Sequence, residues 1–391
     1  MAVEAVPPYT QNTLRDDVVE LTFGEPDPAM LPVGLVRAAA NRMLVEAGPG
    51  ALAYGQTQGP PALREQIARR IAAREGRAVP ADEILVSGGN SQALDLVLTI
   101  LTAPGDVVLV ESPTYDLALG IMRDHPVEVV GIPLGDEGLD VDALERALAR
   151  LRTSGARTRL LYTIPTFHNP SGVCLAPERR RRLLEIARHW DLILVEDDVY
   201  RELAYDGPAP PSLWSAGPEA PVVCLGSFSK SLAPGLRVGW INARRDIMQR
   251  LSGSGMIDSG GCPSQFAATL VAEMLHGSAY ETHVAGLRRA YASRRDALAA
   301  ALRERLPAGC RFTVPAGGFF LWLTLPDGVR ATELLPLAEA RGVAFAPGAR
   351  FCSDGDDRSL RLAFSLYGEA TLAEGARRLG AALRAAQAGR A

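Results

Sequence analysis

Lys230 is the single lysine in a chain of 391 residues; every other member of its 41 lysines and arginines is arginine. A codon bias toward arginine accounts for such replacement wherever either cation serves, as in a surface charge or a salt bridge. A position that keeps lysine is then one that needs an amine. Lysine has a reference pKa of about 10.4 and can be brought to lose its proton near neutrality, whereas arginine, above about 12, cannot. Chemistry that needs such an amine is nucleophilic: attack on a carbonyl to form a Schiff base, or abstraction of a proton. The lysine sits in Gly226-Ser227-Phe228-Ser229-Lys230-Ser231, and Arg237 follows seven residues later with a guanidinium shaped for phosphate.

The elements that must position these residues follow from hydrophobic pattern. Short apolar runs at 84–86, 107–110, 127–130, 160–164, 192–195, 222–225 and 238–241 read as buried strands, and helical periodicity fills 91–101, 141–152 and 177–190 between them. Such alternation predicts an α/β architecture with a mainly parallel sheet. From about Ser278 the pattern changes to a long helix ending near Leu306, strands near 319–325 and 360–364, and a C-terminal helix, which predicts a second, α+β domain. The Pro/Ala-rich stretch Pro208 to Ala220 reads as a surface loop. In open parallel sheets ligands gather at the carboxyl ends of the strands. Three further segments stand there. Ser87-Gly88-Gly89-Asn90-Ser91-Gln92 opens a helix whose N-terminus suits an anion or is a plain turn; Asn169-Pro170-Ser171-Gly172 carries an asparagine that serves a ligand or only the turn; and Glu196-Asp197-Asp198-Val199-Tyr200 brings carboxylates out of an apolar strand, where they need donors or cations.

Composition excludes several classes. A net charge of −4 with no basic stripe argues against nucleic acid as a partner. The run Arg179 to Arg182 reads as a solvated helix face. Five scattered cysteines, Cys174, Cys224, Cys262, Cys310 and Cys352, lack metal or disulfide spacing, and the five histidines pair with no carboxylate in ligand spacing, so no metal site is expected. The start, Met1 to Pro8, has no signal-peptide pattern and no stretch is apolar enough to span a bilayer; a cytoplasmic protein is expected.

Taken in order and spacing, Asn169-Pro170-Ser171-Gly172, Asp197-x-x-Tyr200, Ser227-x-Ser229-Lys230 and Arg237 resemble the fold type I pyridoxal-phosphate enzymes, aminotransferase class I/II. Gly24-Glu25-Pro26, Ser112-Pro113-Thr114-Tyr115, Gly317-Gly318-Phe319, Ala346-Pro347-Gly348 and Arg361-Leu362-Ala363 extend the resemblance over most of the chain, toward the 2-aminoadipate, multi-substrate and MocR-like subgroup. The resemblance implies a large domain (45–280) with a mainly parallel, mixed seven-stranded sheet between helices, a small C-terminal domain (281–391), and an N-terminal segment (1–44) packing with the small domain. It implies pyridoxal 5'-phosphate on Lys230 as a Schiff base, with the freed amine then shuttling a proton. Asp197 would pair with the ring nitrogen, Tyr200 and Asn169 would donate to the phenolic oxygen, and Tyr115 would stack on the ring. Ser227, Ser229, Arg237 and the Asn90-Ser91-Gln92 turn would hold the phosphate, with Tyr54 reaching it from the second subunit of a homodimer. Gly24, Asn169 and Arg361 would receive the substrate, Arg361 on its α-carboxylate.

Departures from the pattern bear on substrate. His168 stands where the subgroup has glutamine, as a packing residue or a new acid or base, and Asn90 stands where a smaller residue is usual. Ser252 to Pro263 is glycine-rich, a mobile loop or a permissive turn, and the chain before Gly24 lacks the arginine-bearing helix that reads acidic side chains. The expected reaction is transamination between an α-amino acid and a 2-oxo acid, with elimination, replacement, decarboxylation or cyclisation on the same cofactor as the alternative. A regulator of the MocR type would carry a winged-helix domain upstream, which is not expected here.

Overall fold

The computed structural model describes residues 11–352 and 355–388; the stretch read for a signal peptide, Met1 to Pro8, lies outside the described residues. Runs such as Val107-Val108-Leu109-Val110 are apolar at every position, so a strand built from them must be covered on both faces. That is their arrangement. Val107 and Leu109 pack in one core with Leu161, Leu194 and Val222, while Val108 and Val110 pack in another with Tyr162, Val195 and Val223. The sheet between these cores comprises β1 (Ile84–Ser87), β2 (Val107–Ser112), β3 (Glu128–Gly135), β4 (Gly138–Leu139), β5 (Thr158–Thr163), β6 (Ile193–Asp197), β7 (Val222–Ser227) and β8 (Gly239–Ala243). Its order is β1-β8-β7-β6-β5-β2-β3-β4. The neighbours from β7 through to β3 are parallel, and β8 runs antiparallel to both β1 and β7. Seven strands were expected and there are eight, because β3 turns back at Gly135 and pairs antiparallel with the two-residue β4.

A third core holds the rest. Strands β9 (Arg311–Phe312), β10 (Phe320–Thr324), β11 (Ala346–Pro347) and β12 (Ser359–Ala363) form an antiparallel sheet of order β9-β10-β12-β11, covered by the helices Ala279–Arg305 and Glu369–Ala388. Val19 and Leu21 join this core, and Val19–Glu20 pairs parallel with Val343–Ala344. Of the described residues of the segment 1–44, Val19 and Leu21 thus lie in the small core, while the helix Val33–Glu46 places Ala39 and Met43 in the large core beside the helix Gln265–Met274.

Three local expectations are corrected by burial. In the run Arg179 to Arg182, Arg180 is buried on the same helix face as Leu183, Leu184 and Ala187. Its guanidinium donates to the carbonyls of Leu175 (2.9 Å), Pro211 (2.9 Å) and Pro165 and to Thr166 Oγ1 at 3.0 Å, tying the loop 164–176 to the loop that carries Pro211. The stretch Pro208 to Ala220 contains a short helix, Leu213–Ala216, with Leu213 and Trp214 in the core, and its first amides donate to the buried Glu196. Within Ser252 to Pro263 residues Gly255–Gly260 are helical, and Gly261, at φ +75°, packs so closely on the Gly55 carbonyl that a Cβ would stand 2.6 Å from it. The glycine is needed for that approach rather than for mobility.

The buried guanidinium gives a test. Arg180→Met removes four buried hydrogen bonds and is expected to cost about 3 kcal/mol in urea unfolding, whereas Arg181→Met on the exposed face should stay within about 0.5 kcal/mol. Equal effects would mean that Arg180 contributes only as a solvated charge.

Candidate active site

The parallel strands β1, β2, β5, β6 and β7 end on one edge of the sheet, and the residues that follow them meet there with the inner edge of the small antiparallel sheet. Asp197 closes β6. Its side chain lies on the face shared by Val195 and Tyr162, so the neighbouring carboxylates turn elsewhere: Glu196 to the helix at Leu213, and Asp198 to an ion pair with Arg201, which also contacts Glu75 at 3.2 Å. Asp197 Oδ1 accepts from Asn90 Nδ2 at 2.7 Å and Oδ2 from the Tyr162 hydroxyl at 2.7 Å. Burial raises its pKa, and these two bonds oppose the rise.

Lys230 reaches across from the turn after β7 and donates from Nζ to the Gly24 carbonyl at 2.9 Å. Burial brings its ammonium down to about 8; Glu25 and Asp197 resist that shift, while Arg361 and Arg237 add to it. Gly24 is where it is because the chain passes directly over Phe320, and a Cβ would stand 2.3 Å from the ring.

Arg361, on β12, donates from Nη1 to Asn169 Oδ1 at 2.8 Å and from Nη2 to the Thr22 carbonyl at 2.7 Å, with its guanidinium between the rings of Phe320 and Phe351. Its buried Nε has no partner. Burial lowers its pKa to about 10.

The turns after β1 and β7 carry a cluster of donors. Ser227 Oγ and Ser229 Oγ lie 3.0 Å apart, Arg237 donates from Nη2 to the Gly88 carbonyl at 3.0 Å, and Gln92 Oε1 accepts from the Gly88 amide. Arg237 and Ser91 are exposed, and Gln92 Nε2 is buried with no partner. Tyr115, half-buried after β2, has its hydroxyl pushed up to about 12 by burial and by Asp197 and Asp116. Tyr200 is buried, edge-on to Phe319 and Phe320 at 5.4 and 5.8 Å between ring centres, and burial holds its hydroxyl well above its ordinary value.

One residue of the expected set stays apart: Tyr54 is 93% exposed and makes no contribution to the site of its own chain. His168 is fully buried, with Nδ1 2.8 Å from Ser171 Oγ and Nε2 3.1 Å from Glu111 Oε2; Glu111 also accepts from Thr163 and the Ile164 amide. It braces the turn that carries Asn169 and does not face the cavity as a free acid or base. Tyr162, Thr22 and Phe320 were not singled out from the sequence. The signal for Tyr162 was present, a phenol in the apolar run 160–164. No group of metal-ligating side chains occurs among the described residues.

A sequence profile described as aminotransferase class I and II matches residues 16–379. The chain is 38% identical over 365 residues to aromatic-amino-acid aminotransferase 1 of Thermococcus litoralis, covering 93% of this chain and 87% of that protein. It superposes with a TM-score of 0.90 at 36% identity on the kynurenine aminotransferase of Pyrococcus horikoshii, solved with PMP, over 95% of this chain and 91% of that one. With the α-aminoadipate aminotransferase of Thermus thermophilus, complexed with N-(5'-phosphopyridoxyl)-L-leucine, the TM-score is 0.86 at 36% identity, over 95% and 93% of the two chains. The cavity fits such a group. An amine brought close to neutrality, a buried carboxylate on the same cavity and an arginine-and-hydroxyl cluster at one end match the aldehyde, the ring nitrogen and the phosphate in chemistry, and the unpartnered Gln92 Nε2 and Arg361 Nε are donors left over for ligands. The chain belongs to the class I and II aminotransferases, enzymes that use pyridoxal 5'-phosphate to move an amino group between an α-amino acid and a 2-oxo acid.

Proposed function

We propose that the residues around this cavity divide the reaction as follows, on the strength of one observation above all: the chain's single lysine is held with a depressed pKa beside the Gly24 carbonyl, facing a buried aspartate. When bound, pyridoxal phosphate supplies a carbonyl for amine exchange and a ring that accepts electrons from the substrate Cα. Lys230 anchors it and, once freed by the incoming amine, carries a proton away from Cα as a base whose pKa of about 8 leaves a useful neutral fraction at working pH. Asp197 faces the ring nitrogen. Tyr200 and Asn169 stand on the phenolic side, and Tyr115 covers one ring face. Ser227, Ser229, Arg237 and the turn Asn90-Ser91-Gln92 hold the phosphate, the hydroxyls and guanidinium supplying charge-assisted bonds. Arg361 receives the substrate α-carboxylate, for which its unpartnered Nε and adjacent Nη form a fork, and Gly24 lets the N-terminal segment pass close over Phe320 beside it.

The functional unit in this reading is a homodimer, and the protein is cytoplasmic, as its free thiols support. Among the described residues, seven of the nine exposed large apolar side chains, Val33, Leu44, Val45, Leu52, Tyr54, Met256 and Phe266, fall on the helix Val33–Glu46, the turn after it and the Met256–Phe266 stretch that packs nearby. An apolar face so concentrated supports burial against a second copy. Tyr54 on that face reaches the partner's phosphate site. The 1–44, 45–280 and 281–391 division is kept as a functional reading, with the small domain carrying Arg361 to the large domain's cofactor.

In cofactor-free protein the rate of covalent capture of pyridoxal phosphate should climb with pH to about 8 and then level off, because only the neutral amine attacks; a rate still rising toward the ~10.4 of an ordinary lysine would show that burial does not tune this amine. Borohydride should fix the cofactor on Lys230, and Lys230→Arg should bind it without covalent attachment or turnover. Asp197→Ala should keep the cofactor through its phosphate contacts but slow Cα proton removal by at least about a thousandfold, measured by single-turnover absorbance; near-normal rates would return the ring partner to Asp198. Mixing Lys230→Ala and Tyr54→Phe chains under subunit exchange should restore activity, since one site of each heterodimer is then free of both changes. A heterodimer no more active than the Tyr54→Phe homodimer would place Tyr54 outside the partner's site.

A further inference from the structure

Asp197 is held by two neutral donors that come from the two lateral sides of its strand. Tyr162 comes from β5, the parallel neighbour of β6, and its hydroxyl lies 2.7 Å from Oδ2; Asn90 comes from the turn after β1, three strands away on the other side, and its Nδ2 lies 2.7 Å from Oδ1. The Asn90 amide has one way to sit. Nδ2 also points at the Leu225 carbonyl at 3.4 Å, so turning the amide over would set its oxygen against two acceptors; as placed, its Oδ1 is buried with no partner of its own. An amide that leaves its own oxygen orphaned in order to donate to a carboxylate answers to the charge of that carboxylate. Tyr162 is fully buried, and burial together with Asp197 keeps its hydroxyl protonated at every working pH, so it is always a donor.

We propose that Asn90 and Tyr162 are positioning residues that keep Asp197 ionised, so that the proton shared between this carboxylate and the cofactor's ring nitrogen stays on the nitrogen. This inference rests on the reading of Asp197 as the ring partner. A buried carboxylate facing a ring nitrogen has two arrangements, an ion pair and a neutral pair, and a cavity shielded from water favours the neutral one. Donors to the carboxylate favour the ion pair, because a hydrogen bond to a charged acceptor is stronger than one to a neutral acid. The other groups facing Asp197 do not replace them. The Val199 amide also favours the anion, Asp198 opposes it but is neutralised by Arg201, and Tyr115 and Tyr200 approach without a bond to the carboxylate; Lys230, the nearby cation, is engaged at Gly24 and committed to covalent chemistry. Only the protonated ring draws electrons strongly from Cα, so this pair of donors sets how well the enzyme removes the Cα proton.

The test reads the ring nitrogen directly. Holoenzyme carrying cofactor labelled with 15N in the ring is compared by NMR as the parent, Asn90→Ala, Tyr162→Phe, the double variant and Asp197→Asn. The ratio of protonated to unprotonated ring should fall about tenfold or more for each donor removed, so the shift moves toward the unprotonated ring most clearly in the double variant, and Cα proton removal slows by a similar factor. Asn90→Ser, which restores a donor, should recover part of the shift. A double variant with the parent's nitrogen shift overturns the inference. Asp197→Asn separates it from the reading beneath it: a protonated ring there sinks Asp197 as ring partner, whereas loss of the proton there with none lost in the donor variants sinks only the role of Asn90 and Tyr162. Should Tyr162→Phe fail to fold, Asn90→Ala and Asn90→Ser alone decide, since Asn90 is only partly buried at the start of a helix.

Discussion

A carboxylate at the end of a strand buried on both faces must find its donors inside the protein, and around Asp197 that requirement brings the site together. Strand β6 ends in Glu196 and Asp197, Asp198 follows it directly, and successive side chains leave a strand on opposite faces. Glu196 is met by the first amides of a short helix, Asp198 by Arg201, and Asp197 alone is left to the ligand edge with Tyr162 and Asn90. Each acid is satisfied differently, and the difference assigns one to chemistry and two to structure. The turn after β1 is brought to Asp197 by the order of the sheet, in which β8 and β7 fill the gap between β1 and β6.

Charge in the cavity is tilted toward the positive. Burial dominates the downward shifts of Lys230 and Arg361; Arg361 and Arg237 add to that of Lys230, while Glu25 and Asp197 restrain it. A cavity with excess positive charge and little water suits a ligand pair that brings a phosphate and a carboxylate with it. The cost of keeping Lys230 and Arg361 buried is offset by carbonyls, Gly24 for Lys230 and Thr22 for Arg361. Both carbonyls belong to the N-terminal segment, which is pinned in turn by Arg294 on Asp27 at 2.7 Å and by Ser365 on the Glu25 carbonyl. The segment is thus held over the site by Lys230 from the large unit and by Arg361, Arg294 and Ser365 from the small one.

The sequence by itself determined the elements whose cause is local. Runs apolar at every position require strands covered on both sides, and the single lysine among arginines marked a place where an amine is needed, because no other property separates the two residues so sharply. The strand-end motifs were legible for the same reason: polar residues that emerge from apolar strands have few places to go. Tertiary structure decided everything that depends on which strand lies beside which. Register placed Tyr162 against Asp197, turned Arg180 inward to tie two loops where a run of four arginines had looked solvated, and added β4 as a two-residue edge. It also split residues 11–44 between two cores and left Tyr54 on an exposed apolar face. Periodicity states how a segment buries one face, but the partner that covers that face is set by contacts between residues hundreds of positions apart, which no local pattern carries.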